Sequence, residues 1–161
     1  MHPMTTRAKF NRYSIALQDF DRANGYATHA LNYPINTIEY EALLFAAIIC
    51  YVRPFSRNEV TNMPQAVVLL RLEDFSTLTD QERHLHDHCL RLRNKALAHS
   101  EFEMNPTSLN EETGIVSSRP FSLVAQQVDV HRLAALSARL LEECHKRRGD
   151  YISKLGERPS E

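Results

Sequence analysis

Apolar residues recur at steps of three and four along most of this chain, which is the period of an amphipathic helix. The first patterned segment predicts a helix over residues 5–31, whose apolar face carries Phe10, Tyr13, Leu17, Phe20, Ala27 and Leu31. The last segment predicts a helix over residues 129–155, with Asp129 as its N-cap and a frayed tail from residue 156. Both helices have polar residues on the face opposite the apolar one.

A second helix is predicted over residues 36–53. Asn36 and Glu39 have the spacing of a capping pair at its start, and the Arg53-Pro54 step ends it. From Ala42 to Val52 this helix is apolar on nearly every side. Such a helix is usually central in its bundle or shared with a partner subunit.

A third helix is predicted over residues 79–100. Its start is marked by Thr79 and Glu82, which have the spacing of a capping box. Its apolar face carries Leu85, Cys89, Leu92 and Ala96 and reaches His99 near the end of the helix.

The connections between these helices have weaker patterns. A short helix is predicted from Pro64 to about Leu72, because proline suits a first helical turn. Before the last helix, Gly114–Val116 and Phe121–Val124 predict a small β-hairpin or an irregular flap. The whole chain, residues 1–161, is therefore predicted to be one all-α domain, a bundle of four or five helices with this insertion.

Composition narrows the classes of protein. The formal net charge of −1 argues against binding nucleic acid through bulk positive charge, so any RNA contact has to come from a local patch. Cys50, Cys89 and Cys144 all fall on predicted apolar faces, which favours buried thiols in a reducing cytoplasm. The N-terminus does not resemble a signal peptide, and the Ala42–Val52 run is too short to span a bilayer, so we expect a cytoplasmic protein with no membrane partner.

Three histidines at the start of the third helix suggest a metal site but do not complete one. His84 and His88 are one turn apart, whereas His86 points away from them on a regular helix. Metal sites need three or four ligands, and no partner carboxylate can be identified for this pair. We interpret the three residues as a solvated helix face and predict neither a metal nor another cofactor; a metal-binding helical protein that uses His84 and His88 is a weaker alternative.

The strongest candidate chemistry lies in the segment Arg93–His99. Arginine is a permanent cation whose planar fork binds phosphate oxygens, and histidine both takes and gives protons near neutrality. On a regular helix the two residues are about 9 Å apart along the axis, so they can flank one phosphate if the helix relaxes near Ala98. Asn94 can orient such a site or cap backbone groups, and Ser100 and Glu101 follow His99 directly, which places a carboxylate near it. A plainer interpretation makes Arg93 a surface cation and His99 a residue stabilised by the helix dipole.

The extended segment Leu-Arg-Asn-Lys-Ala-Leu-Ala-His-Ser-Glu, residues 92–101, resembles the signature of the HEPN superfamily (higher eukaryotes and prokaryotes nucleotide-binding domain). That signature is an arginine, often followed by asparagine, then four to six residues and a histidine late in a long helix. The segment of this chain at residues 92–101 is similar to HEPN proteins of bacterial abortive-infection and toxin–antitoxin systems. Residues 51–55, which include Arg53, also resemble that group.

The resemblance implies an HEPN-like bundle acting as a metal-independent endoribonuclease toxin that binds RNA. His99 would assist proton transfer and Arg93 would stabilise charge on the phosphate, with Asn94, Ser100, Glu101 and Arg53 in support. Family members commonly form homodimers in which two such pairs share a cleft, and a toxin would have a cognate antitoxin. The alternative is a non-catalytic HEPN-fold module for protein interaction or nucleotide binding.

Overall fold

The computed structural model describes residues 3–56, 70–75, 78–94, 107–118 and 121–156. Within these ranges the chain is mostly helical, and one small antiparallel hairpin precedes the last helix. The helices are α1 (Pro3–Ala30), α2 (Ile38–Val52), α3 (Asp80–Leu92) and α4 (Val130–Gly156), and the strands are β1 (Thr107–Asn110) and β2 (Ile115–Ser118). The predicted all-α bundle with a hairpin insertion is confirmed.

Helix α1 is the centre of the bundle, because it packs along both α4 and α2. Alanines dominate its buried face and allow the neighbouring backbones to come close; the fully buried ones are Ala16, Ala23, Ala27 and Ala30. The Asn24 side-chain amide also donates a hydrogen bond to the carbonyl of Ala134, at 2.9 Å, and so joins α1 to α4. Of the two alternatives predicted for the apolar helix α2, a central place in the bundle is not what the structure has, and a face shared with a partner subunit stays a prediction.

Side-chain caps fix where three of the helices begin. The Thr79 hydroxyl accepts from the Glu82 amide at 3.3 Å while the Glu82 carboxylate accepts from the Thr79 amide at 2.7 Å, so the predicted capping box is present. Asp129 caps α4 as predicted, by accepting from the amide of Arg132 at 2.9 Å. Helix α2 is capped by Thr37, whose hydroxyl accepts from the amide of Tyr40, and not by the pair predicted from Asn36.

The hairpin forms with a different pair of strands from the one predicted. β2 includes the expected Ile115 and Val116, but it pairs with β1, where Thr107 faces Ser118 and Asn110 faces Ile115. The tight turn explains the choice. Gly114 has a φ of 66°, and the Asn110 side chain accepts from the amides of Glu112 and Thr113.

The segment after the hairpin does not form the second strand that was predicted there. Leu123 is instead buried, and a short 3₁₀ turn follows at Val124–Gln126. A 3₁₀ turn also occupies Leu72–Asp74, where the predicted short helix was to end, while residues 64–69 of that helix lie outside the described ranges. These turns connect to α4 and α3 and leave four helices as the frame of the described structure.

The three cysteines are buried in the core and none forms a disulfide, as predicted. Burial raises the pKa of Cys89 and the pKa of Cys144 to about 12, so both are neutral thiols that pack as small apolar side chains. Among the described helices, none combines the length and the apolar character needed to cross a bilayer.

Candidate functional site

Arg93 and Asn94 lie where α3 ends, and there the backbone changes its form. The Arg93 amide donates to the carbonyls of both Cys89 and Leu90, and the backbone widens into a π-helical turn at Arg93 and Asn94. Leu92, just before them, is fully buried and holds this end of the helix against the core. Helical turns of this wide kind are frequent at functional sites, because they present side chains that a regular α-helix would turn away.

The two side chains of this turn contact each other. Arg93 is half-buried, Asn94 is exposed, and an Nη1 proton of Arg93 is donated to Oδ1 of Asn94 at 2.9 Å. In this contact the Asn94 side chain holds the guanidinium at one nitrogen, and its role in a catalytic site stays a prediction. Three other predicted residues, His99, Ser100 and Glu101, lie outside the described residues.

Arg53 belongs to a separate network between α1 and the end of α2. Its Nη1 lies 3.6 Å from the carboxylate of Asp19, and its backbone carbonyl accepts from the Arg12 guanidinium at 3.0 Å. That guanidinium also donates to the carbonyl of Pro54. Arg12 and Asp19 are both buried, which raises the pKa of Asp19, although the Arg53 charge opposes the rise. The described contacts of Arg53 therefore lie in this network, and none of them reaches Arg93.

His86 is buried, so the interpretation of the three histidines as a solvated face was wrong for this residue. Its ring is 5% exposed, its Nδ1 lies 3.0 Å from the Tyr51 hydroxyl, and its centroid lies 4.6 Å from that of Phe55. The segments that contribute Tyr51 and Phe55 cover the position of His86 on α3, which the sequence pattern of this helix alone predicts to be exposed to solvent. His86 is thus part of the contact between α3 and the end of α2.

His88 also has a structural partner, whereas His84 is exposed as predicted. The Arg91 guanidinium lies 2.6 Å from Nδ1 of His88 and can only donate, so Nδ1 accepts. Nε2 of a neutral His88 then carries the proton and donates to the carbonyl of Gln126 at 2.9 Å. No group of three metal-ligating side chains occurs in the described part of the chain.

A cavity of about 350 Å³ lies beside His86, between α3 and the segment that precedes it. Its lining is Phe55, Leu70, Arg71, Leu72, Glu73, Arg83, His86, Asp87 and Leu90. This cavity could not be predicted from the sequence, because residues 70–73 have no periodic pattern and lie far along the chain from Phe55. The one sequence signal for residues 70–73 as a site was the high charge density at Arg71–Asp74, next to apolar residues.

The buried His86 predicts a stability that depends on pH. Burial lowers the pKa of His86 from its ordinary 6.5, against the opposing charges of Asp87 and Glu73. Below pH 6.5 the unfolded chain therefore binds a proton that the folded chain refuses, and the free energy of unfolding falls as the pH drops toward the lowered pKa. Urea denaturation at about pH 7.5 and about pH 5.5 measures this loss.

Two variants separate His86 from other titrating groups. His86→Gln should reduce the pH-dependent loss of stability, because the buried titrating group is gone. His131→Gln removes an exposed histidine on α4 and should leave the loss unchanged. Equal pH dependence in wild type and His86→Gln would contradict the assignment.

Comparisons with known protein families, with curated proteins and with solved structures find no match for this chain.

Proposed function

We propose that this chain is a metal-independent endoribonuclease of the HEPN type that acts as a homodimer in the cytoplasm. The observation that carries the proposal is the end of α3. There a π-helical turn presents a half-buried arginine next to an asparagine, at the start of a segment that continues to His99. A bacterial defence or toxin–antitoxin system, with a cognate antitoxin, is the setting that the motif favours.

The chemistry assigned to this segment is attack of a ribose 2′-hydroxyl on the neighbouring phosphorus. His99 assists the proton transfer, either from that hydroxyl or to the leaving 5′-oxygen. Arg93 stabilises the negative charge that builds on the phosphate oxygens in the transition state. In the part of the chain that the structure describes, the side-chain partner of Arg93 is the neutral amide of Asn94, so no carboxylate there neutralises the guanidinium.

The outer face of α2 supports the homodimer. Ile38, Ala42, Phe45 and Ile49 follow one another at steps of four, three and four and form one apolar row on this helix. Ile38 is 79% exposed and Phe45 is 42% exposed, while Leu44 and Tyr51 on the other face are buried in the core. Contiguous apolar surface of this kind on a globular protein usually marks an interaction site. A second copy of α2 is a partner of matching chemistry.

A charge introduced into this row should dissociate the dimer. Phe45→Glu places a carboxylate where the two copies would meet. The free energy needed to bury this unpaired charge is larger than the free energy that the apolar contact contributes. We expect wild type to have twice the mass of the 18.5 kDa chain in light scattering, and Phe45→Glu to have the mass of one chain. Ile152→Glu, at a 51% exposed position on α4, is the matched control and should remain a dimer. A monomeric wild type, or dissociation by Ile152→Glu alone, would contradict the assignment of this interface.

A second candidate function is a non-catalytic module of the same fold. The hydrogen bond between Arg93 and Asn94 favours it, because such a contact can stabilise a helix end without any substrate. RNA cleavage in the presence of EDTA separates the candidates. A nuclease cleaves under these conditions and loses cleavage in His99→Ala, whereas a module binds RNA or nucleotide without cleaving it. Growth arrest on expression, relieved by His99→Ala, would also support the nuclease.

A further inference from the structure

The cavity beside His86 is lined in part by Leu90, which lies three residues before Arg93 on α3. Leu90 lines the cavity, and the carbonyl of the same residue accepts from the amide of Arg93. Leu90 and Arg93 are three residues apart, so they are neighbours on one side of the helix, about 4.5 Å apart along its axis. Leu90 therefore places one wall of the cavity about one helical turn from Arg93, although Arg93 is not itself one of the lining residues.

Part of the cavity lining is apolar and aromatic, while the rest is polar or charged. Phe55, Leu72 and Leu90 contribute carbon surface, and the ring of His86 stands edge-on to the ring of Phe55, at an interplanar angle of 85°. The hydroxyl of Tyr51 lies against Nδ1 of His86 and fixes the orientation of that ring. These aromatic rings suit a flat ligand, because aromatic side chains give nucleobases a surface on which to pack.

The rim of the cavity carries two cations and two carboxylates. Arg71 and Arg83 supply the positive charges, and Glu73 and Asp87 supply the negative ones. All four residues are exposed, and within the described structure no ion pair joins any of them to another. Both kinds of charge are therefore available to a ligand.

Guanine is the nucleobase that satisfies both kinds of charge on its two edges. Its O6 and N7 are adjacent acceptors for an arginine fork. Its N1–H and N2–H₂ groups are adjacent donors, and a carboxylate accepts from both. Adenine, cytosine and uracil each lack at least one of these adjacent pairs. The cavity volume of about 350 Å³ also suits one nucleotide more than a longer segment of RNA.

We propose that this cavity binds a guanine base of the RNA, next to the phosphodiester that Arg93 contacts. Arg71 or Arg83 donates to the acceptor edge of the base, and Asp87 accepts from its donor edge. The inference rests on the proposed nuclease function for its biological meaning, while the guanine site itself can be measured without cleavage. It makes the enzyme selective for guanine at a position beside the cut.

The direct test is calorimetric titration of the full-length chain with GMP, AMP, CMP and UMP in turn. We expect GMP to bind about tenfold or more tightly than the other three, since a matched pair of hydrogen bonds discriminates by this order. Asp87→Asn should remove most of that preference, because an amide cannot accept from both donors of guanine. Asp80→Asn is the matched control: it makes the same change on the same helix, outside the cavity lining, and should keep the preference.

A second variant makes the test independent of charge. Leu90→Trp fills the cavity and should weaken GMP binding while circular dichroism still reports a folded helical protein. Equal binding of all four nucleotides, or no binding of any of them, would overturn the proposal. An unchanged preference for GMP in Asp87→Asn, or an unchanged GMP affinity in Leu90→Trp, would overturn it as well.

Mapping of cut sites distinguishes failure of this inference from failure of the proposed function. We expect wild type to cut beside guanines, and Asp87→Asn to cut with less preference for them. His99→Ala should stop cleavage yet bind GMP like wild type. GMP binding without any RNA cleavage would contradict the proposed nuclease function and support the proposed guanine site. RNA cleavage with no preference for guanine would contradict the proposed guanine site and support the proposed nuclease function.

Discussion

His99→Ala is expected to lower the rate of RNA cleavage by about 10²- to 10⁴-fold, the range for loss of a positioned general acid or base. Arg93→Ala should lower it by about 10²- to 10³-fold, because one charged donor to the transition state is lost. The cleavage rate of the double variant should be only a little lower than that of the less active single variant, because groups that act as one unit have non-additive effects. Gel analysis of a defined RNA, with EDTA throughout, measures all three rates.

Two controls connect these losses with chemistry rather than with folding. Arg93→Lys keeps the charge but loses the fork that binds two phosphate oxygens, so its rate should lie between those of wild type and Arg93→Ala. Arg91→Ala removes an exposed arginine two residues earlier and should cleave at close to the wild-type rate. Wild-type cleavage by both Arg93→Ala and His99→Ala would show that the site is misassigned, provided that thermal unfolding is unchanged.

Helical periodicity was enough to predict the frame of this fold. The predicted helices over residues 5–31, 36–53 and 129–155 correspond to α1, α2 and α4 within a few residues at each end. This agreement follows from local physics, because caps such as Asp129 and breaks such as Pro54 act on their own neighbours. The end of the predicted 79–100 helix is described only to Asn94, where it has already left regular α geometry.

Long-range contacts were beyond local patterns. The β1 partner of β2 depends on how Asn110 and Gly114 close a turn, and alternation alone did not distinguish it from the later Phe121–Val124 segment. His86 looked solvated because its partners Tyr51 and Phe55 come from another helix and the turn after it.

In the candidate site, too, the features set by local sequence could be predicted, and those set by long-range contacts could not. The place of Arg93 and Asn94 late in the third helix followed from the sequence, while a supporting role for Asn94 stays a prediction. The cavity did not, because it combines Phe55, residues 70–73 and α3, which only tertiary packing brings together. Arg53 was predicted through a resemblance, whereas its described ion pair is with a buried carboxylate of α1 that local spacing cannot pair with it.

The second large effect is expected in the core beneath this cavity. Phe20 on α1 is fully buried, and its ring centroid lies 6.1 Å from that of Tyr51, 5.8 Å from that of Phe55 and 6.1 Å from that of Phe75. Phe20→Ala leaves a void among these rings that they cannot close without moving. The free energy of unfolding should therefore fall by about 3–5 kcal/mol, as measured by urea denaturation at neutral pH.

Two further substitutions show whether the loss comes from the cavity. Phe20→Leu leaves a smaller void and should cost less than Phe20→Ala, while Ile15→Ala, at a 51% exposed position on α1, should cost much less than either. Because Phe55 packs on Phe20 and also lines the cavity beside His86, Phe20→Leu should weaken GMP binding even where the protein stays folded. A Phe20→Ala protein as stable as Ile15→Ala would mean that these rings do not pack as described. The aromatic wall of the proposed guanine site would then lose the support that holds Phe55 in place.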